Sequence, residues 1–584
     1  MGDDLSLQDV QTKLQSSDKS REQGLQSPLV RARKIYWLIV VVLGFLQAWS
    51  HRLQISHDGV GYLDVADNYA RGAWSAAING YWSPLYSWLL APAEYLRIPR
   101  LWESTYLHLL NFAAYLCAYR TFEFFLQEMI GQQGAPFLQT DRTEMLSTPS
   151  WRLLGLGLFL YSSLYMANHG GSTPDIFVVL FTYLAMGLLL RILSSRAAWG
   201  TFISLGVVLA CAYFAKTAMF PLAFIFLGVA AVSAIRAPTT RLVFLLAPIA
   251  FMMAAAPWVI ALSRAKGRAT FGDTGRLAYA RLVGPQAEPL AWGGQTDTAE
   301  NLAHPPRRLG NDPPVYEFAV PVPGTFPLWY DGSYWLEGTK VHFSLPGQLR
   351  VLRQSASTYA EILNSQREYL ALFLILLFAQ GSIAAYPSRL LRLWAVWLPS
   401  FAGLCMYALV YLEPRYVAPF VVVLWLTLFA ALRLPDKDGN AFLRFSHYAV
   451  IATVLVASGG LLRGAASDIH SILRPRPNEQ FEVARGLEGM GIAPGSHLSL
   501  IGTSRESFYW ARLARLQIIS IIPNENVYEY WFGSSNSRGQ ADRQFVETGA
   551  IAIVTDAVPA GAELSGWDQV GQTSYYIHRL PRQQ

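Results

Sequence analysis

Charge is scarce in this chain. Asp, Glu, Lys and Arg make up 15% of its 584 residues, whereas 52% are hydrophobic and 13% aromatic. That balance is too apolar for an ordinary soluble enzyme. Cysteine is nearly absent. Cys117, Cys211 and Cys405 all fall in apolar segments, with no metal-site spacing and no disulfide framework, so they are expected to be inert core residues. Basic clusters are lacking too: 46 Lys and Arg against 40 Asp and Glu give a net charge of +6, but the cations are scattered between apolar segments. This argues against a nucleic-acid partner and marks cytoplasmic loops.

What the chain has in quantity is long apolar runs. Segments near the roughly 20 residues that cross a bilayer lie at about 35–50, 104–126, 151–168, 173–193, 198–214, 217–236, 241–263, 369–386, 389–411, 416–433 and 446–463. The expected fold class is a polytopic α-helical membrane protein with about eleven transmembrane helices, 12 or 13 being the alternatives, and juxtamembrane helices on its outer face. Residues 1–34, polar and followed by "IYWLIVVVLGFLQAW" without a signal-peptide cleavage site, are expected to be a disordered cytoplasmic tail before an uncleaved anchor. The span count turns on "YWSPLYSWLLAPAEYL" at 81–96, which holds Pro84 and Pro92. The pairs Arg191/Arg196, Arg236/Arg241 and Arg389/Arg392, and then Arg433, Lys437 and Arg444, all fall in the cytoplasm only if this stretch does not cross fully.

Residues 35–463 then form a transmembrane domain, with a first outer loop at 51–103 and a large outer loop at 264–367. Beyond them, residues 464–584 alternate strand-like runs ("HLSLIG", "LQIISII", "AIAIVTD", "SYYIHRL") with helical ones ("EQFEVARGLEGM", "ESFYWARLARL"), the pattern of a small α/β extracytoplasmic domain. It has no Gly-rich phosphate loop and no metal spacing, and a rigid cap on the membrane domain is its expected role, with substrate docking the alternative. No Asn-x-Ser/Thr acceptor occurs in the outside segments, which fits a bacterial inner membrane.

Ionisable residues beside apolar spans need a reason, because burying one there costs roughly 2.5–3.5 kcal/mol. Asp58 in "SHDGVGYLDVADNYARGAWS" opens an expected amphipathic helix over 61–71, with Asp64 and Asp67 on its solvent and headgroup side; Asp58 either caps that helix or does chemistry. Asp175 in "GGSTPDIF" sits in a first helical turn, with Ser172 or Thr173 as cap. Lys216 in "ACAYFAKTAMF", and Arg415 with Tyr416 in "LEPRYVAPF", are cations in apolar settings at the outer face, suited either to snorkelling or to phosphate. Together they make a better site for an anionic lipid-linked substrate than four unrelated caps. His169, His304 and His342 lie too far apart to argue for a metal. Trp329, Tyr330, Tyr334 and Trp335 suit either an interfacial aromatic belt or a wall that shelters a sugar.

The order of these residues resembles the protein O-mannosyltransferase and aminoarabinose (lipid A) transferase group of C-superfamily integral-membrane glycosyltransferases. The matching positions are Asp58, Tyr62 and Ala66, then Trp74 in "GAW", Trp82 and Pro84 in "WSPLYSWLLA", Asp175, Lys216, and Arg415 with Tyr416, over roughly residues 35–435. Gly59, Ala73 and Ser83 depart from the family's pattern.

The resemblance implies an inverting transfer of one sugar from a polyprenyl-phosphate donor to an acceptor at the outer face, the acceptor being unidentified. Asp58, with an ordinary pKa near ~4, then serves as base. Lys216, Arg415 and Tyr416 bind the departing phosphate, Asp175 is a second acidic site, and Tyr62, Trp74, Trp82 and Pro84 support the first loop. No required cofactor is implied; a divalent metal stays an alternative that no spacing supports. The main rival is a transporter or flippase of lipid-linked sugars, which would be expected to show internal repeats; none is found. A scaffold protein would leave the charged set unexplained.

Overall fold

The computed structural model describes residues 30–131, 146–168, 170–194, 198–235, 242–284, 302–318, 324–380, 383–433, 439–475, 477–502 and 508–581. Residues 1–29 of the expected leader, and His169, lie outside them. Residues 30–34, assigned above to the leader, form the first turn of helix α1 (Val30–Ser50). Arg33 explains why: its guanidinium makes two 3.0 Å bonds to Glu123, which lies on the helix Arg100–Gly131.

The first loop carries α2 (His57–Ala70), α3 (Trp74–Ala77) and α4 (Pro84–Tyr95), followed by the long α5 (Arg100–Gly131). Next come α6 (Thr148–Leu160), which continues as a π-helical turn to Met166, α7 (Asp175–Leu193), α8 (Trp199–Ala215), α9 (Met219–Ile235) and α10 (Leu246–Lys266). The large loop holds α11 (Thr274–Leu282), α12 (Pro327–Tyr330), α13 (Gly332–Trp335) and α14 (Leu345–Ser365). The apolar run then resumes through α15 (Arg367–Ala379), α16 (Tyr386–Arg392), α17 (Trp394–Ala408), α18 (Pro414–Ala430) and α19 (Gly439–Leu473).

Each of the eleven apolar segments lies mainly on a helix. Among the described residues, four helical stretches are long and apolar enough to cross a membrane: α1, α7, Val243–Lys266 and Ala441–Leu473. Two bent pairs, α14/α15 at 75° and α16/α17 at 84°, raise that number to six, and α8, α9 and α18 are shorter apolar helices. Helix α4 has 12 residues and is therefore about 18 Å long, short of the ~30 Å hydrocarbon core. Cys117 and Cys405 are exposed rather than in the core, so they lie on the outside of the helical bundle.

Helix α2 begins four residues earlier than its apolar periodicity suggests, because Ser56 caps it. The Ser56 hydroxyl accepts from the Gly59 N–H at 3.3 Å and shares a 2.6 Å bond with the Ser172 hydroxyl. Asp58 is thus a first-turn residue and not the cap. The helix is buried on nearly every side, Asp64 and Asp67 included, each only 5% exposed; the solvent and headgroup side assigned to them does not exist, because other parts of the chain cover it. Glycine makes this closeness feasible: a Cβ on Gly61 would lie 2.8 Å from Trp82 Nε1 and 2.9 Å from its Cε2. Gly61→Ala should therefore lower stability by about 1–3 kcal/mol, the usual effect of overpacking, which a drop in the thermal midpoint of the detergent-solubilised protein would show.

Trp329, Tyr330, Tyr334 and Trp335 pack against other parts of the chain, Trp329 on His57 with ring centroids 4.6 Å apart. Tyr330 and Trp335 are buried under the first loop, and the Tyr330 hydroxyl and carbonyl bond to Ala76 O and Asn79 Nδ2. Tyr334 stacks on His304 with ring centroids 4.0 Å apart.

The C-terminal residues form α20 (Glu479–Gly489), β3 (His497–Ile501), α21 (Tyr509–Leu513), β4 (Gln517–Ile522), α22 (Val527–Phe532), α23 (Ser535–Glu547), β5 (Ala552–Thr555), β6 (Asp568–Gln569) and β7 (Tyr576–Arg579). Two short strands from the large loop, β1 (Arg307–Arg308) and β2 (Tyr316–Glu317), join the same sheet, whose order is β1-β2-β4-β3-β5-β7-β6. Its centre, β4-β3-β5, is parallel and its flanks antiparallel. The Ile-rich β4 is almost wholly buried, as a central strand covered on both faces must be.

Candidate active site

Three helix ends and one turn converge on a cavity of about 570 Å³. Helix α2 presents Asp58 and Tyr62, the start of α7 presents Asp175, the turn between α8 and α9 presents Lys216, and the start of α18 presents Arg415 and Tyr416. Local sequence explains each placement. Pro174 precedes α7 and Pro414 opens α18, so the backbone is set for a first helical turn in which a missing N–H does no harm. Lys216 is the C-cap of α8 in an extended conformation, which ends the helix and swings its side chain inward.

The charges interlock. Lys216 Nζ donates to Asp175 Oδ1 at 2.5 Å and lies 3.3 Å from the centre of the Tyr416 ring, a cation–π contact. Thr173 Oγ1 donates to Asp175 Oδ2 at 2.9 Å. Arg415 Nε donates to Glu413 Oε2 at 2.5 Å and Nη2 to the Tyr416 hydroxyl at 3.3 Å; it also stands 3.7 Å from Asp175 and 3.9 Å from Asp58. Of its five N–H donors, two are used by these bonds, so the fork keeps donors for a ligand.

Asp58 differs from the rest: its nearest ionic partners are His57 Nε2 at 3.5 Å and Arg415 Nη2 at 3.9 Å, beyond good hydrogen-bond distance. Burial pushes its carboxyl above the usual carboxylate range, against the pull of His57 and Arg415. A carboxylate that is partly buried, weakly bonded and raised is suited to taking up a proton.

The opposite wall comes from the segment after α10. Gly267, at φ +63°, ends that helix in the left-handed conformation and turns the chain so that residues 268–276 line the cavity. Arg268 bonds Asp273 at 2.7 Å and Glu337 at 3.1 Å, while the Asp273 N–H bonds the Gly80 carbonyl at 2.8 Å. Ser83 Oγ accepts from the Thr217 N–H at 2.9 Å, joining the first loop to the Lys216 turn.

Of the residues expected from sequence, Asp58, Tyr62, Trp82, Asp175, Lys216, Arg415 and Tyr416 line this one cavity. Tyr62 packs on Trp82 with ring centroids 4.8 Å apart. Trp74 and Pro84 do not line it: Trp74 is 64% exposed and edge-on to Tyr69, and Pro84 starts α4. The sequence does not single out Glu413, Tyr81, Arg268, Arg276, Tyr407 or Tyr411; Glu413 stands beside the cavity, bonded to Arg415, and the others line it, Tyr81 from the first loop, Arg268 and Arg276 from the far wall, Tyr407 from α17 and Tyr411 from the turn after it. Only Glu413, inside the "LEPRY" string, offered a signal. Among the described residues, no group of three or more His, Cys, Asp or Glu is placed to hold a metal ion.

No family model matches the sequence, and no curated protein matches it. Solved structures do. ArnT from Cupriavidus metallidurans in the apo state is 11% identical, with 95% of this chain and 98% of that one aligned at a TM-score of 0.50. The same protein bound to undecaprenyl phosphate is 11% identical, with 95% and 97% aligned at 0.38. The Archaeoglobus fulgidus oligosaccharyltransferase tethered with an acceptor peptide is 12% identical, with 89% and 69% aligned at 0.42. The fold of this chain is thus similar to that of ArnT in the apo state.

Proposed function

We propose that the protein transfers a sugar from a polyprenyl-phosphate donor to an acceptor on the extracytoplasmic face of a bacterial inner membrane, with inversion and with Asp58 as general base. The observation that carries this reading is the meeting of a weakly bonded carboxylate, Asp58, with two cations, Lys216 and Arg415, in one cavity. The acceptor hydroxyl gives its proton to Asp58 as its oxygen bonds to the anomeric carbon. The bond from that carbon to the phosphate oxygen breaks in the same step, and the electron pair leaves with the phosphate. Attack from the face opposite the leaving group inverts the centre. Lys216, as a point charge, and Arg415, through its free N–H donors, stabilise the phosphate as it gains charge.

Asp175 holds Lys216 in place. Ala218, Pro221, Met406 and Val410 give the cavity an apolar side, where the first isoprene units of the carrier would lie. The outward orientation follows the positive-inside reading of the loops. The carrier proposed is the one that ArnT, whose fold is shared, is seen to bind, undecaprenyl phosphate.

Native mass spectrometry of the full-length protein released from membranes tests this directly. A polyprenyl phosphate or its glycosylated form should co-purify and be displaced by added undecaprenyl phosphate. Bulk phospholipid alone, with no undecaprenyl phosphate uptake, would overturn the reading. Movement of the lipid between leaflets without cleavage of its sugar would favour a flippase instead.

A further inference from the structure

Among the contacts that join the C-terminal α/β unit to the first loop and α5, which include Asn478 to Leu53 O and Tyr509 to Arg100 O, one side chain carries the buried charge. Arg512, on α21, is fully buried at 0% exposure. Four carboxylates surround it, all from other elements: Asp64 and Asp67 on α2, Glu94 on α4 and Glu103 on α5. Nη1 donates to Asp64 at 2.6 Å and Asp67 at 3.1 Å, and Nη2 to Asp67 at 2.9 Å, Glu103 at 2.9 Å and Glu94 at 3.2 Å. Nε donates to Glu103 at 2.9 Å.

Arg100 closes the cluster, bonding Asp67 at 3.2 Å and the Arg512 carbonyl at 3.0 Å, and the mostly exposed Arg71 pairs with Asp67 at 3.4 Å. Asp64 also accepts from the Thr325 N–H at 2.7 Å and its hydroxyl at 3.0 Å. The Thr325 carbonyl in turn accepts from the Ile518 N–H in β4 at 2.9 Å.

A fully buried guanidinium is a poor way to gain stability, since well-packed apolar groups usually do as well. What a planar fork with every N–H engaged does supply is orientation. Asp58 needs orientation from elsewhere, because its own contacts are long. It lies on the same helix as Asp64, six residues away and therefore about 9 Å along the axis. Ser172 pins the start of α2, and Arg512 pins its middle.

We propose that Arg512 is a positioning residue for Asp58: the C-terminal unit, through this guanidinium, fixes the roll and tilt of α2 and so aims the Asp58 carboxylate into the cavity. The inference rests on the reading of Asp58 as the base. It makes the C-terminal unit part of the active site, although none of its described residues lines the cavity.

Glu94 adds a pH dependence to the cluster. Burial, helped by Asp67, pushes its carboxyl up to about 7, against the pull of Arg512. A raised carboxyl contributes stability that is complete below its ordinary pKa and is lost as pH rises through the folded value. Ionised Glu94 adds negative charge beside Asp67 and Glu103, with Arg512 and Arg100 as its counter-charges, so the cluster that holds α2 is less stable above about pH 7.

The test uses the full-length protein in nanodiscs, with undecaprenyl phosphate as binding probe and a carbon-14-labelled total polyprenyl-phosphate-sugar extract as turnover probe. In Arg512→Lys, amides of residues 57–70 should exchange about tenfold faster, and label release should fall about 10–100-fold, as for a slightly misplaced catalytic group. Undecaprenyl phosphate affinity should stay within about twofold, since Lys216 and Arg415 stand on elements that the cluster does not touch. Unchanged label release, or affinity falling in step with it, overturns the proposal.

Glu94→Gln guards against misfolding of the first variant. It should remove the decline of label release above pH 7, and an unaltered pH profile counts equally against the proposal. Asp58→Asn in the same series separates the two ideas. If it releases label at the wild-type rate, the base assignment fails; if it is inactive while Arg512→Lys is fully active, only the positioning role fails.

Discussion

Asp58→Asn should lower label transfer by about 10²–10⁴-fold, the range that a positioned general base contributes, while undecaprenyl phosphate binds as well as or better than to the wild type. The split follows from geometry. Asp58 makes no short bond that holds the cations; Lys216 and Arg415 are held by Asp175 and Glu413. A negative charge 3.9 Å from Arg415 also repels an incoming phosphate, so removing it cannot weaken binding.

The same variant should melt at a higher temperature at neutral pH. Burial raises the Asp58 carboxyl above its ordinary value, so its contribution to stability is complete below that value and lost as pH rises through the folded pKa. Asparagine carries no such penalty, and the advantage should shrink at acid pH. A helix cap would behave in the opposite way, because its loss destabilises. Wild-type activity should rise with pH along a limb set by Asp58 and placed above the ordinary carboxylate range. Differential scanning fluorimetry and label transfer across pH measure both effects. An Asp58→Asn protein that transfers at the wild-type rate removes the base from the mechanism.

Much of this site is legible in the sequence because it is built from exceptions. A lysine or aspartate beside twenty apolar residues is conspicuous, and so Asp58, Asp175, Lys216 and Arg415 stand out before any coordinates are known. The strands of the C-terminal unit are legible for a related reason, since "LQIISII" and "AIAIVTD" have the continuous apolar character of buried parallel strands.

What the sequence hides is long-range burial of charge. Asp64 and Asp67 resemble the wet side of an interfacial helix, and Arg512 in "YWARLARL" resembles one more surface cation. Their pairing spans 448 and 445 residues, a distance at which local periodicity carries no information. β1 and β2 are equally hidden, two-residue strands in a polar, Pro-rich loop. Trp74 is attached to the site only by the family resemblance, through "GAW", but Gly72, at φ +74°, lies in the turn that ends α2 before the chain reaches it.

Lys216→Met has the second large expected effect, and a double-mutant cycle with Asp175 separates its two consequences. The single change leaves the Asp175 carboxylate, only 3% exposed, with Thr173 at hydrogen-bond distance and Arg415 3.7 Å away. Breaking a buried pair in this way costs about 3–5 kcal/mol, visible as a lower melting temperature. Asp175→Asn combined with Lys216→Met should recover most of that stability, because no unpaired charge remains buried.

The double variant should nevertheless bind undecaprenyl phosphate about 10–100-fold more weakly, the effect of losing a charged donor worth about 1.5–3 kcal/mol. Asp175→Asn alone should bind it at least as tightly as the wild type, since Lys216 is then released from its strongest competitor. If the double variant instead recovers affinity along with stability, Lys216 serves only as the counter-ion of Asp175, and Arg415 alone must receive the phosphate. The cycle therefore distinguishes a lysine that braces the site from one that touches the leaving group, which proximity alone does not do.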